Sequence, residues 1–318
     1  MKYILGIGTS VVDILARAPR AAVGNEMVHF ADYSKQGGGM VATAVIAAAR
    51  LGAPCKIISP VGDDAMGEFC RQDYLRHGIE VSHVRTQPGR ETPWSMCIAD
   101  DATKNRAIYS YMENAPVLSL EELDDDMVAN AGFVHLYERR LSWQPVVMRV
   151  AHLCREHGAK LSVDAFTYDP FYDELIGMSD IWITSEDYYR QKYGDTPLRE
   201  GLSDLKGMGP EVVITTLGDR GLAGMDGEGY FQLPAFSVAV QDTTGAGDVF
   251  HGAFLAMRSR GMDTRRAAFY ASGAAAVKCT RIGGRAALPD FETLDAFIKT
   301  GVIDYSELDR RVEFYRKV

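Results

Sequence analysis

The stretch Asp242-Thr-Thr-Gly-Ala-Gly-Asp-Val-Phe-His-Gly-Ala-Phe-Leu255 joins a glycine turn to the start of an apolar helix. The run before it, Val238–Asp242, predicts a strand that ends at the turn, and Gly245–Arg260 predicts a long helix. Backbone N–H groups at the start of a helix favour anions. A ligand can approach them closely here because the helix begins with three residues that have little or no side chain: Gly245, Ala246 and Gly247. The stretch therefore predicts an anion site suited to a leaving phosphoryl group.

Asp248 follows these small residues directly and lies in the first turn of the predicted helix. We expect the helix N-terminus to keep its carboxylate ionised at neutral pH. Such a carboxylate can orient a substrate hydroxyl and accept its proton as the P–O bond forms. The alternative is an Asp that only caps the helix. Other phosphate motifs do not occur: G-x-x-x-x-G-K-[ST] is absent, and Gly6-Ile-Gly8 lacks the third glycine of a dinucleotide fingerprint, at Val11.

Short apolar runs alternate with helical segments through the rest of the chain. This pattern is typical of βαβ units and predicts an α/β fold with a mostly parallel sheet. The predicted strands of that sheet after residue 120 are Phe133–Tyr137, Lys160–Asp164, Asp180–Thr184 and Val212–Leu217. Two other patches alternate between apolar and polar residues, Met27–Tyr33 and Trp94–Met112 with a turn at Asp100–Asn105, and they predict a small separate sheet.

The composition limits the classes of function. The chain has 318 residues, 47% of them apolar, and a net charge of −9, which gives no support for a nucleic-acid or anionic-membrane partner. Its five cysteines are widely spaced and contain no C-x-x-C pair, as expected in a reducing compartment. With no signal peptide and no long apolar stretch, the sequence predicts a cytoplasmic protein.

The stretch Asp242–Leu255 resembles the C-terminal signature of the ribokinase (PfkB) family of carbohydrate kinases. Four further segments resemble family motifs in the same order along the chain: Gly37–Gly52, Val61–Gly67, Val213–Gly221 and Lys278–Pro289. The likeness is greatest to the ketohexokinase and sulfofructose kinase branches. It implies a ribokinase-like three-layer α/β/α sandwich with a mostly parallel central sheet and a small β-sheet lid. Residues 1–16, 37–91 and 114–318 would form the kinase core, and residues 17–36 and 92–113 the lid.

The resemblance also implies a sugar site. Asp13 matches a family Asp that binds two sugar hydroxyls, and Gly38 and Gly39 match positions where the backbone lies against the sugar. The family usually has an Asn at the position of Thr43, so the sugar is expected to differ from plain ribose. Arg139 matches an Arg that holds the substrate in the related branches, and a guanidinium there could bind a distal anionic group. The alternative is that Arg139 is an ordinary surface charge.

For the nucleotide and ions, the resemblance implies ATP with Mg²⁺ and, in addition, K⁺ or a similar ion. The nucleotide side would comprise Ser185, Thr216, Gly218, Gly221 and Ser272, with Ser272 facing the adenine. The usual N-x-x-E element that orders Mg²⁺ is replaced by Ser185-Glu-Asp-Tyr188, in which Glu186 or Asp187 could substitute. The residues that match the monovalent cation site are Asp242, Thr244, Lys278, Arg281, Gly283 and Ala287.

Together these observations predict ATP-dependent phosphorylation of a hydroxyl, expected to be primary, on a ketose-like sugar or a sugar acid. Asp248 would be the general base and the amides of Gly245–Gly247 the anion hole. Two alternatives stay open: a nucleoside kinase on the same scaffold and a catalytically silent sugar-binding regulator. The expected partners are the sugar and ATP, with a homodimer through the lid sheet as a further expectation.

Overall fold

The computed structural model describes residues 2–103 and 106–316. Residues 1, 104, 105, 317 and 318, which the expected core, lid and turn include, lie outside the described residues. The molecule consists of a large sheet covered by helices on both faces and a small sheet at one side. Among the described residues, no helix is both long enough and apolar enough to cross a lipid bilayer.

The strands fall into three sheets. In chain order they are β1 Ile4–Ile7, β2 Val11–Ala18, β3 Asp32–Gly38, β4 Cys55–Ile58, β5 Val61–Gly62, β6 Thr86–Gln87, β7 Trp94–Asp100, β8 Arg106–Tyr111, β9 Phe133–Leu136, β10 Lys160–Ala165, β11 Ile181–Ser185, β12 Val212–Thr216, β13 Leu222–Asp226 and β14 Gly229–Leu233. The large sheet has the order β14-β13-β12-β11-β10-β9-β1-β4, the small sheet β3-β2-β7-β8, and β5 pairs with β6. Six neighbouring strands of the large sheet are parallel to one another: β12, β11, β10, β9, β1 and β4. The hairpin β13–β14 adds an antiparallel edge beside β12.

The helices between these strands cover the large sheet. They are α1 Met40–Arg50, α2 Ala65–Arg76, α3 Asp125–Ala129, α4 Gln144–His157, α5 Tyr172–Ile176, α6 Glu186–Tyr193, α7 Leu198–Gly207, α8 Ala246–Ser259, α9 Thr264–Lys278, α10 Phe291–Thr300 and α11 Tyr305–Arg316. One face of the sheet packs on α1, α8 and α9, and the opposite face packs on α3, α4 and α7. Both layers are apolar, so the sheet is buried on both sides, as parallel sheets require.

Helices α1 and α8 approach closely because Gly252 has no side chain. A Cβ at Gly252 would lie 1.9 Å from the carbonyl oxygen of Ala44. The small residues of α1, which include Ala44, Ala47 and Ala48, extend this contact. The first turn of α8 is thereby fixed over the carboxyl ends of the parallel strands, where ligands bind in open α/β sheets.

Two sequence expectations differ from the structure. Val238–Asp242 is not a strand but an irregular segment that leads into α8, since no neighbouring strand pairs with it in the described sheets. The small sheet also includes β2, which begins at Val11, whereas the expected lid began at residue 17; its next strand starts at Asp32 rather than Met27. The alternation of Val28 and Phe30 therefore lies in a loop, where Phe30 is exposed and Val28 is partly buried.

Candidate active site

The turn before α8 leaves backbone N–H groups free at the helix start. Gly245 has φ of 76° and is the N-cap, a conformation that favours glycine, and a Cβ there would lie 2.8 Å from Gly284 Cα. Gly247 is exposed, and a Cβ on it would meet no atom within 4 Å. The Ala246 N–H, which we expected in the anion hole, instead donates to the carbonyl of Thr243 at 3.1 Å. Of the three small residues, Gly245 and Gly247 therefore keep N–H groups with no hydrogen bond to the parts of the chain that the structure describes.

Asp248 lies in the first turn of α8 and is half-buried. Burial raises the pKa of Asp248 well above its ordinary value, and the carboxylates of Asp164 and Asp13 raise it further, while Arg285 and Lys278 act in the opposite direction. The direction of this shift is opposite to the one expected from the helix N-terminus alone, because desolvation and two like charges disfavour the ionised form. A raised pKa makes the carboxylate a stronger base near neutral pH.

Asp13 lies on β2 of the small sheet, and its charge is close enough to Asp248 to affect the pKa of that carboxyl. Its Oδ1 accepts a hydrogen bond from Ser95 Oγ on β7 at 2.6 Å. Gly38 is needed beside it, since a Cβ at Gly38 would lie 2.2 Å from Asp13 Oδ2. Gly39 has φ of 90° and begins α1 in a turn against the Thr9 carbonyl. The glycine pair thus makes room for the Asp13 carboxylate.

A buried arginine, Arg285, lies beneath this glycine pair. Its Nη2 donates to the Gly38 carbonyl at 2.7 Å, its Nη1 to Asp73 Oδ2 at 2.6 Å, and its Nε to Thr43 Oγ1 at 3.3 Å. Thr43, expected to contact the sugar, therefore has its hydroxyl held by Arg285 in the protein interior. Sequence reasoning missed Arg285; the only signal was a basic residue in the closing loop Lys278–Pro289.

The C-terminal helix α11 holds Arg285 from the other side. Arg311 Nη2 donates to the Arg285 carbonyl at 2.9 Å, and the Tyr315 hydroxyl donates to Asp73 Oδ1 at 2.7 Å. Both members of the Arg285–Asp73 ion pair are almost completely buried. A buried pair of this kind is costly to break, because the remaining charge would have no partner.

Arg139 follows β9 and is exposed, and its side chain forms no hydrogen bond or ion pair with the residues that the structure describes. Arg139 and Asp248 both act on the pKa of Tyr137, which burial raises, so both charged groups lie near the same ring. The adjacent Arg140 has a different role: it donates to both carboxylate oxygens of Glu138 at 3.0 and 2.8 Å. Arg139 is thus the guanidinium available to a ligand at this edge of the sheet.

A cavity of about 460 Å³ opens on the other side of the glycine turn. Its lining includes three of the predicted residues, Gly218, Ala246 and Ser272, together with the apolar side chains of Phe236 and Val238. The other predicted nucleotide residues do not line it. Thr216 donates to the Thr184 carbonyl at 3.3 Å, Gly221 packs against the Leu233 carbonyl, and Ser185 caps α6 through the Tyr188 N–H. The cavity has the size and the mixed lining of a nucleotide site.

The chain matches a known family over most of its length. Residues 1–290 match the family described as pfkB family carbohydrate kinase. The chain belongs to the PfkB family of carbohydrate kinases. Among curated relatives, a 2-dehydro-3-deoxygluconokinase of Thermoproteus tenax is 26% identical over 94% of this chain and 95% of its own length. A bifunctional ribokinase/ribose-5-phosphate isomerase A of Fructilactobacillus sanfranciscensis is 24% identical over 98% of this chain, which spans only 59% of that protein.

Solved structures share the PfkB fold. A protein of E. coli assigned as ribokinase II, in complex with ATP and Mg²⁺, superimposes with a TM-score of 0.81 at 22% identity and covers 94% of this chain and 99% of its own. Arabidopsis thaliana ribokinase, complexed with ribose and ATP, gives a TM-score of 0.79 at 21% identity over 94% and 99% of the two chains. The large parallel sheet with a small separate sheet is thus the ribokinase fold.

The two carboxylates of α6 that were expected to help order Mg²⁺, Glu186 and Asp187, differ in their surroundings. Glu186, one of the two expected substitutes, forms ion pairs with Arg190 and Arg220, and these arginines lower its pKa even though burial opposes the change. The Ser185 hydroxyl is used twice within the fold, as an acceptor at the α6 N-terminus and as a donor to the Phe166 carbonyl at 2.6 Å. Asp187 is exposed and forms no ion pair with the residues that the structure describes, so it is the carboxylate of α6 available to the Mg²⁺ that accompanies the phosphates.

The residues expected to bind a monovalent cation do not fit one. The fully buried ammonium of Lys278 donates to the Asp242 carbonyl at 2.7 Å. The Asp242 carboxylate accepts from the Thr244 N–H at 2.9 Å, the Thr244 hydroxyl and the Gly283 N–H at 2.8 Å. Burial opposes ionisation of Asp242, yet Lys278 and these donors lower its pKa. Arg281 pairs with Asp309, and Ala287 is buried. A second cation beside the ammonium would be repelled.

One residue of the small sheet that sequence reasoning missed reaches this turn. Arg106, at the start of β8, donates to Thr243 Oγ1 at 2.5 Å, and its Nη1 lies 4.0 Å from Asp242 Oδ1. Thr243 also lines the 460 Å³ cavity. The small sheet is thus connected directly to the lining of this cavity.

Proposed function

We propose that this protein transfers the γ-phosphoryl group of ATP to a hydroxyl of a small sugar, with Asp248 as general base. One observation supports this above all: Asp248 and the open amides of Gly245 and Gly247 lie on the same helix turn, between the 460 Å³ cavity and Asp13. ATP would occupy the cavity with its terminal phosphate at the amides. The sugar would bind on the Asp13 side.

The chemistry follows from this arrangement. Asp13 and Asp248 would each accept a hydrogen bond from a sugar hydroxyl, and Asp248 would take the proton as the oxygen attacks the γ-phosphorus. The amides of Gly245 and Gly247 would stabilise the charge on the phosphate oxygens. When bound, Mg²⁺ would neutralise part of the negative charge on the phosphates. The small sheet would cover the sugar and exclude water, which would otherwise hydrolyse ATP.

For the substrate class, we favour a ketose-like sugar or a sugar acid attacked at a primary hydroxyl. The unpaired guanidinium of Arg139 near Tyr137 supports an anionic group or a polar chain end on the substrate. The 2-dehydro-3-deoxygluconokinase among the relatives is named for such a keto sugar acid. The Thr43 hydroxyl accepts a hydrogen bond from Arg285. The surface beneath the proposed sugar therefore differs from one in which an Asn at this position offers a free amide side chain.

The test is an ADP-release assay with ATP and Mg²⁺ over a panel of ketoses, keto sugar acids, ribose and nucleosides. We expect turnover with a ketose or a sugar acid, and its loss in Asp248→Asn. Arg139→Gln should raise KM for a sugar acid by about tenfold, because one charge-assisted pair is lost. Arg155→Gln removes an exposed charge on α4 and serves as the control, with an unchanged KM. Sugar binding without ADP release would contradict the proposal. Faster turnover of adenosine or inosine than of any sugar would show that the substrate is a nucleoside.

A further inference from the structure

A polar patch interrupts the apolar layer between the large sheet and α8. On this face, β11 and β12 contribute apolar residues such as Ile183 and Ile214. The central strands β9 and β10 instead contribute His135, Ser162 and Asp164, and α8 adds His251 from above. His135 and Ser162 are directly paired across β9 and β10, and Asp164 lies two residues further on the same face. All four are at most 4% exposed.

Most polar atoms of this patch lack a partner. Both ring nitrogens of His135, Nδ1 of His251 and Oγ of Ser162 have no hydrogen bond of normal geometry to any residue in the described ranges. Nε2 of His251 is 3.3 Å from Asp164 Oδ1. Each buried polar atom without a partner costs about 1–3 kcal/mol, so several in one place require an occupant that satisfies them.

The spacing fits a single metal ion. His135, Asp164 and His251 each offer one ligand atom, and these three atoms all lie within 4.8 Å of one another. Two ligands at 2.0–2.1 Å from a tetrahedral ion are separated by about 3.3 Å, which equals the distance from His251 Nε2 to Asp164 Oδ1. The ligands come from two strands and a helix that the fold already holds rigidly together.

The charge of the surroundings also favours a cation. Asp164, Asp13 and Asp248 are electrostatically coupled carboxylates at this end of the sheet, and the two histidines bring no negative charge. A divalent ion would offset this excess of negative charge. Two imidazoles with one carboxylate suit Zn²⁺ and its first-row neighbours rather than Mg²⁺ or Ca²⁺, which prefer oxygen ligands.

We infer that His135, Asp164 and His251 form a binding site for one divalent transition-metal ion of the Zn²⁺ class. The ion would tie β9 and β10 to α8 directly beneath the turn that carries Asp248. This site is separate from the Mg²⁺ that accompanies ATP. It does not depend on the proposed transfer reaction, because ion binding is measurable without turnover.

The experiment uses the full chain with its affinity tag removed. The protein is incubated with Zn²⁺, Co²⁺ or Mn²⁺ in turn, freed of excess ion, and analysed for metal by mass spectrometry. We expect about one Zn²⁺ or Co²⁺ per chain, a visible absorption band for bound Co²⁺ that Zn²⁺ abolishes, and a higher Tm for the loaded protein. The Co²⁺ band is read on the wild-type chain, so this arm does not rely on the folding of any variant.

Variants then locate the ion. His135→Gln, His251→Gln and Asp164→Asn should each lose most of the bound metal and the metal-dependent rise in Tm, with circular dichroism confirming the fold. His152→Gln removes an exposed imidazole on α4 and should bind as the wild type does. Wild-type protein that retains less than about a tenth of an equivalent of each metal would overturn the inference, leaving water in the patch. Metal retained at full occupancy in the folded His135→Gln and His251→Gln variants would overturn it equally.

Discussion

At the residue scale, Asp248 lies between two opposing influences. The start of α8 favours its ionised form, while burial and the carboxylates of Asp164 and Asp13 oppose it, and the net result is a raised pKa. A carboxyl whose pKa is higher in the folded than in the unfolded state binds more protons when folded. Its contribution to stability is therefore present at acid pH and is lost as the pH rises through the folded-state pKa. At neutral pH, the folded protein is therefore less stable than it would be if Asp248 had its ordinary pKa.

We predict that Asp248→Asn lowers turnover by roughly 10²–10⁴-fold and at the same time raises Tm at neutral pH, because the buried charge is removed. A gain of ~1 kcal/mol would appear as about 2–4 °C in a chain of this size. The gain should vanish near about pH 4, where an ordinary carboxyl is half protonated. Scanning calorimetry from acid to neutral pH checks this, and a variant less stable than wild type at neutral pH would contradict the pKa direction. In the wild type, kcat/KM should fall as the pH drops through the same raised pKa.

A second residue-scale prediction concerns Lys278, whose ammonium occupies the place expected for K⁺. Wild-type activity should be the same in chloride salts of K⁺, Na⁺ and tetramethylammonium at equal ionic strength. Lys278→Met leaves Asp242 without its buried counter-charge, so we expect a loss of roughly 3–5 kcal/mol of stability. K⁺ should restore part of the variant's Tm, and tetramethylammonium should not. Strong K⁺ activation of the wild-type protein would show that the ammonium does not replace the ion.

Sequence patterns predicted residues whose role depends on their own backbone or on near neighbours. The glycine turn and Asp248 were found because helix N-termini and small residues have local signatures. Arg285 and Arg106 were missed, since their function depends on contacts with residues distant in the chain: Arg285 with Asp73, and Arg106 with Thr243. The residues next to an arginine in the sequence do not indicate which distant group its long side chain contacts.

At the scale of elements, two glycines of α8 have opposite roles. Gly252 lies against α1, where a Cβ would be 1.9 Å from the Ala44 carbonyl oxygen, whereas Gly247 borders open space at the helix start. The first glycine serves helix packing. The second leaves room for the phosphate that we propose to bind there.

We therefore predict a separation of stability from activity in two matched variants. Gly252→Ala should destabilise the fold by at least ~1–3 kcal/mol through overpacking. Gly247→Ala should be as stable as wild type or slightly more so, since Ala is favoured over Gly in a helix by up to ~1 kcal/mol, but should lose about ten- to a hundredfold in kcat/KM for ATP. Denaturant unfolding and the ADP-release assay measure the two effects. Full activity of Gly247→Ala would contradict the proposal that this turn forms the anion hole.

The regular elements of the core were predictable, and the irregular ones were not. The parallel strands after residue 120 follow the predicted apolar runs within about a residue because buried parallel strands have continuous apolar sequences. Val238–Asp242 has the same apolar character but borders the cavity and pairs with no strand in the described sheets. The hairpin β13–β14 was overlooked, although its turn contains Gly227 and Gly229. Apolarity alone did not distinguish a sheet strand from a cavity wall.

At the scale of the whole molecule, Arg106 connects the small sheet to the nucleotide side of the large one. We predict that Arg106→Met raises KM for ATP and lowers kcat about tenfold, since a charge-assisted hydrogen bond is worth ~1.5–3 kcal/mol. The ratio of ATP hydrolysis without sugar to sugar phosphorylation should rise, because the lid would close less completely. Arg20→Met, which removes an exposed arginine paired with Glu26, is the control. Unchanged kinetics in Arg106→Met would exclude a role for this contact in the closed state.

The pairing of Arg285 with Asp73 joins positions separated by 212 residues, and it is sealed by α11, whose described part reaches Arg316. During translation, the contacts of Arg285 beneath the proposed sugar site therefore cannot be completed while α11 is still inside the ribosome. A nascent chain would hold Asp73 without its counter-charge until Arg285 has left the ribosome. The proposed sugar can then assist folding only after α11 has packed in place, and removal of α11 should affect the Gly38 side of the site before it affects the 460 Å³ cavity.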